Sequence, residues 1–547
     1  MKKTSIPFLP KLYFDFLANM NLAFTHALCI YLTSFKYWPI PHQKFTLKIQ
    51  MAYSPPFPNV WAWIQNLPPI TQWKNDTISM CICSSPSYQP SLKLSITKTL
   101  HSSMHLTILI DYHIPIVLWT SKPTQLTSSK PTTQSISHLL NNFVQDVLNY
   151  GPTRSPSRVA LRLPRLDDSN TIGDIFNVSF LTLAFIICIY ECPQELRASC
   201  IHTLKDHFSC PRSRAASTLL MRLMGSNMEE QWMRCVNLAI TNWIVELQAA
   251  ASNALGHTIT TPSPLFSYSN SSFGLWKVQL YCPVIAMEVE SSSGPSPDEH
   301  LRFSLNYHQL EGVIQLNHKV TIRENWIEVM VNIDNIRCDV MRLLDESLMN
   351  GRGAGKSEKH FPSRISLKLT PTLQANIISV SVHKSSENPT TEIGMEKTVE
   401  ASFDPPNLGL RVAGGETVVM SLKPWKFEQS VKGDSTYLNW FLHDSVDGRE
   451  VFSSKPSKLA LVHPKAWFKN RYSSAHRPFT KHGGVIFAGD EYGEKVVWKV
   501  DKSTMGRTME WELKGWVWLT YWPNKHRTFY TETRMAKFTQ LLHLTLV

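Results

Sequence analysis

The feature that most limits what this chain can fold into is a change of hydrophobic period near Pro262. Before it, from Thr171 to Gly256, apolar residues recur at helical spacing. Leu196, Cys200, Ile201, Leu204 and Phe208 follow Pro193, a residue suited to a helix first turn. Pro211 opens a second helix that Gly225 can end. Trp232, Val236, Ala239, Ile240, Trp243 and Leu247 form one stripe behind Ser226 and Glu229, which read as a capping box. With the apolar run Ile175 to Tyr190, these are four helices joined by very short connections, a pattern that predicts an antiparallel bundle.

After Pro262 the apolar residues alternate. The runs are Trp276/Val278/Leu280, Leu301/Phe303/Leu305/Tyr307, Ile327/Val329/Val331/Ile333, Ile365/Leu367/Leu369, Ile378/Val380/Val382, Val399/Ala401/Phe403, Leu408/Leu410/Val412 and Val496/Trp498/Val500. Gly, Pro, Asn and Asp clusters separate them, as expected for short strands, and the crossover helices of a parallel sheet are missing. The expected fold class is therefore α+β, an antiparallel helical bundle followed by a β-sandwich-like antiparallel region, with one short helix near Cys338 to Met349.

Composition places the boundaries. Residues 1–50 read as a doubtful leader or targeting segment, and Met51 is an alternative start. Residues 51–165 are Ser/Thr/Pro-rich, with strand character at Leu92 to Leu100 and Met104 to Tyr112 and one helix running from Ser137 to Gly151. The helical region is 166–260, and the β-rich region is 261–547, in one or two layers. Of the net charge of +12, most lies early: the first 160 residues hold thirteen basic and four acidic side chains, and the first glutamate is Glu191. The remainder is nearly neutral, so no nucleic-acid partner is expected.

Sixteen residues from Ile175 to Tyr190 span roughly 24 Å as helix, short of a hydrocarbon core of about 30 Å. A buried core helix is the favoured reading and a membrane anchor the alternative. Ten scattered cysteines show no disulfide framework and suit an intracellular, cytoplasmic or nuclear location, with a membrane or an organelle as the alternative.

Candidate chemistry is sparse. Asn350 to Ser357 (NGRGAGKS) lacks the first glycine of a phosphate-binding loop, and its context is wrong for one. Cys188, Cys192, Cys200, His202, His207 and Cys210 do not follow zinc-site spacing, so buried structural thiols are expected and no metal. His482 to Gly484 resembles an esterase oxyanion loop, but no GxSxG elbow accompanies it. No catalytic residue and no cofactor is assigned. Trp516, Trp518 and Trp522 share strand parity within a run of eight tryptophans between Trp425 and Trp522, and an open face there could stack on a glycan. Ser155 and Ser157 lie among arginines and prolines, where phosphorylation would act as a regulatory switch.

The stretches IFNVSFLTLAFIICIYECPQELR, GGVIFAGDEYGEKVVWKV and FYTETRMAKFTQLLHLTLV resemble land-plant proteins that pair a helical region with a Trp-rich β region, over residues 51 to 547. That resemblance implies a plant source and carries no activity, cofactor or catalytic residue. The leading functional expectation is a non-enzymatic intracellular interaction or scaffold protein with a protein partner. The alternatives are membrane association through 175–190 and glycan binding through the Trp face.

Overall fold

The computed structural model describes residues 59–68, 72–84, 90–99, 103–125, 133–150, 169–193, 196–197, 200–201, 210–252, 266–272, 274–345, 358–382, 391–397, 416–422, 425–442, 484–487, 495–521 and 530–547. The leader expected at 1–50, Ser155, Ser157, Trp522, His202, His207 and Asn350 to Ser357 lie outside them.

A short helix α1 (Val60–Gln65) precedes an antiparallel sheet of β1 (Thr77–Ser84), β2 (Ser91–Lys98), β3 (Ser103–Asp111), β4 (Ile116–Thr120) and β5 (Thr124–Gln125). The order is β1-β2-β3-β4, with β5 on the start of β3. Pairing of Leu92 with Ile110, Leu94 with Ile108 and Ile96 with Leu106 puts these six side chains on one face, all at most 3% exposed. Helices α2 (Thr133–Asn149), α3 (Ser169–Glu191), α4 (Pro211–Met224) and α5 (Ser226–Ser252) follow, and sheet and helices share one hydrophobic core. Phe143 of α2 lies 5.7 Å from Trp119 of β4 and 5.1 Å from Phe176 of α3, ring centre to ring centre.

This corrects the expected bundle. The helices do not close a core among themselves but complete one with the N-terminal sheet. The reason lies in α3, which is apolar almost all round and so needs cover on every side. It is the one described helix long and apolar enough to cross a membrane, and 89% of its most apolar window is buried inside the protein. Trp61 of α1 packs where Gly173 of α3 leaves room, since a Cβ there would lie 2.6 Å from the indole. A disulfide joins Cys83 of β1 to Cys200, with Cα atoms 5.6 Å apart, which corrects the expectation of thiols only.

The second half comprises β6 (Phe266–Ser272), β7 (Leu275–Pro283), β8 (Glu288–Ser293), α6 (Glu299–Asn306), β9 (His308–Ile322), β10 (Trp326–Arg342), β11 (Phe361–Pro371), β12 (Ile377–Val382), β13 (Thr391–Lys397), β14 (Glu416–Leu422), β15 (Trp425–Lys432), β16 (Ser435–Leu442), β17 (Gly484–Phe487), β18 (Lys495–Asp501), β19 (Thr508–Tyr521) and β20 (Thr531–Thr545). One sheet runs β12-β18-β10-β9-β7-β6 with β17 on β10, another runs β15-β16-β11-β19-β20-β8, and β13 pairs with β14. The two larger sheets share a core in which Trp276, Trp440, Trp498 and Trp511 are at most 1% exposed. Large rings fill the gap between two twisted sheets that aliphatic side chains would leave void.

Two local expectations are also corrected. Cys338 sits inside strand β10 rather than in a short helix. Leu301 and Leu305, read as strand, are buried one helical turn apart in α6, whose N-terminus is capped by Asp298 accepting from the Leu301 N–H at 2.7 Å.

Candidate functional site

Among the described residues, ionisable side chains gather at two buried places. The first is the seam between α5 and the outer face of β7, β9 and β10. Arg234 of α5 donates to both oxygens of Glu311 on β9, at 2.6 and 2.8 Å, and Glu230 lies 3.4 Å from the same guanidinium. Gln309 donates to Glu311 at 2.8 Å, and Asn237 donates to Gln309 at 2.6 Å. One turn earlier Glu229 accepts from Tyr268 at 2.7 Å and Tyr281 at 2.8 Å. The expected capping box is thereby corrected, because that carboxylate reaches tyrosines on β6 and β7. Burial pushes the Glu229 carboxyl up, with the two tyrosine hydrogen bonds opposing it.

The second gathering closes one end of the sheet pair. His360 Nε2 lies 2.9 Å from Glu532, which Tyr530 and Arg534 also engage, and Arg534 further donates to the carbonyls of Val284 and Ile285 at 3.1 and 3.0 Å. Tyr521 donates to Glu358 at 2.7 Å. Burial alone would raise the Glu532 carboxyl, but the His360 hydrogen bond and the Arg534 charge outweigh it and hold it well below the usual range. His308 is fully buried, with the Leu305 backbone beside its ring. Burial, with His360 and Arg342 as like charges, pushes it down to about 3. Burial lowers His360 as well, with Glu532 opposing.

These shifts set a pH dependence. Both histidines titrate lower in the folded chain than at the ordinary 6.5, so the unfolded chain takes up protons first as pH falls. Stability is expected to decline below about pH 6.5, the His308 share being roughly 1.4 kcal/mol per pH unit and levelling off near pH 3, with His360 and the partly buried His318 adding in the same direction. Glu532 adds its own loss as pH falls below 4.5, while the raised Glu229 works in the opposite sense. Urea unfolding at pH 7 and pH 5 measures the slope. His308→Phe should lessen that slope by up to roughly 1.4 kcal/mol per pH unit, and an unchanged slope would show that this ring does not titrate on unfolding.

The tryptophan face lies on the outer side of β19. Trp516 is half-buried, and the Lys537 ammonium lies 5.9 Å from its ring centre. Trp518 is 6% exposed and carries the Arg364 guanidinium at 4.3 Å, with Phe441 on that cation at 4.9 Å. A sugar stacking on Trp518 would have to displace Arg364. Trp425, Trp440, Trp498 and Trp511 belong to the core. Among the described residues no group of three or more His, Cys, Asp or Glu side chains could hold a metal ion.

What sequence reasoning missed is the β3–β4 hairpin. Tyr112, Ile114, Ile116 and Val117 are 50%, 77%, 51% and 59% exposed, all within six consecutive residues. The signal was present: the turn and the first two residues of β4 read YHIPIV, largely apolar where polar turn residues are the rule. Ile116 pairs with Ile110, which faces the helices, and Val117 pairs with Leu109, on the opposite side. Both faces of the hairpin end are therefore bare.

No family model and no curated protein sequence matches the chain. Solved structures similar to it include the Clostridium perfringens delta-toxin, at 8% identity and a TM-score of 0.21, covering 51% of this chain and 99% of the toxin. The Clostridium perfringens NetB toxin in the membrane inserted form gives 7% identity and a TM-score of 0.20 over 51% of this chain and 100% of its own. A structure titled pore forming protein gives 7% identity and 0.20 over 52% and 96%. Scores this low do not define a shared fold.

Proposed function

We propose that the chain is a non-enzymatic interaction protein that docks through the β3–β4 hairpin. The observation that carries this reading is the concentration of exposed large apolar side chains at Tyr112, Ile114, Ile116 and Val117. The ionisable groups that could otherwise do chemistry are engaged with one another: Glu311 with Arg234, Glu229 with two tyrosines, and Glu532 with His360 and Arg534. Such networks fix the register of a helix on a sheet or of one strand end on another.

The test compares association in cell extract for the parent chain, Ile114→Glu and Ile378→Glu. Ile378 is a matched control, 56% exposed on β12. The parent and Ile378→Glu are expected to sediment together as an assembly or with membranes, and Ile114→Glu as the lone chain. Identical sedimentation of all three would overturn the reading.

A further inference from the structure

The occupant of this surface can be narrowed, on the reading that the hairpin is where docking occurs. We propose that residues 112–117 form a wedge that enters the interfacial zone of a phospholipid bilayer. Geometry argues against a flat protein surface, which would cover one side of a hairpin and leave the other in water. Here Ile116 and Val117 point to opposite sides and both are exposed, with Ile114 at the tip the most exposed of the four. A medium that surrounds the wedge covers all of them at once.

Charge agrees with a lipid interface. Asp111, the acid at the root of the hairpin, is paired with Lys93 of the neighbouring strand at 2.5 Å. From 112 to 117 the sequence has no Asp, Glu, Lys or Arg, so no fixed charge has to be stripped of water on entry. Pro115 removes one backbone donor from the segment that would sit deepest. Tyr112, apolar in body and polar at its tip, suits the headgroup level beside the ion pair. Four modest side chains give weak, reversible partition comparable with one acyl chain, well short of a spanning segment.

Co-sedimentation of the full chain with phosphatidylcholine vesicles tests the proposal, with sedimentation velocity in vesicle-free buffer run on the same samples. The parent chain and Ile378→Glu are expected to pellet with vesicles, and Ile114→Glu to lose at least about tenfold in partition. Far-UV circular dichroism and an unchanged melting temperature establish that Ile114→Glu is folded, and Ile114→Ser serves if it is not. A parent chain that stays in the supernatant but self-associates through residue 114 overturns the lipid occupant and keeps the docking reading, the occupant then being a second copy. Pelleting that is equal for Ile114→Glu overturns the wedge, because lipid contact would then lie elsewhere. Absence of both vesicle binding and self-association overturns the lipid wedge, leaving the docking reading to the extract comparison.

Discussion

Arg234→Ala is expected to lower the stability of the folded chain by about 3–5 kcal/mol, as removal of one partner from a buried ion pair does. The Glu311 side chain is 5% exposed, and its two oxygens take both arms of the guanidinium. Without Arg234 the Glu311 charge keeps the Gln309 amide and the more distant Arg337 charge to offset it, while Glu230 adds repulsion from α5. The pairing also explains how α5 is set on the sheet, since a long apolar stripe alone fixes neither rotation nor axial position. Arg234→Ala with Glu311→Gln should recover much of the loss. Chemical denaturation of both singles and the double measures this. Additive losses would mean the two groups are not coupled.

Gly515→Val is expected to cost about 3 kcal/mol or more through overpacking. Gly515 pairs directly with Phe538 on β20, and the Phe538 ring lies across the position a Cβ would take. Phe538 is fully buried between the two sheets, so the ring can give way only by displacing its neighbours in the close-packed core. Gly515→Ala should show a smaller loss of the same origin. Gly515→Val with Phe538→Leu should regain part of the stability, and a loss unaffected by the second change would place the strain elsewhere.

The strands were legible because their alternation is a local property: Ile365/Leu367/Leu369 and Val496/Trp498/Val500 read inward in the sequence and are buried in the structure. The bundle was not, because amphipathic stripes on α2 and α5 say that each helix needs a partner without saying which. The partner is the sheet at 77–125, of whose five strands only β2 and β3 were visible and whose Ser and Thr content masked their burial; Thr107 is only 6% exposed. Helix α6 was misread because Leu301, Phe303, Leu305 and Tyr307 satisfy a period of two while Leu301 and Leu305 also satisfy one helical turn. Asp298 followed by Glu299 was the deciding signal, an N-cap and a first-turn acid. The buried His308, His360 and Glu532 had no signature at all, since positions 308, 360 and 532 meet only after both sheets are assembled. The hairpin was overlooked for the opposite reason: an apolar turn reads as more strand until its exposure is known.

Docking through the hairpin is tested most directly by a photoreactive amino acid placed at position 114 and, separately, at 378, in the full chain inside intact cells. The account predicts crosslinks to lipid or protein at 114 well above those at 378, although both side chains are exposed. Equal yields at the two positions would contradict it.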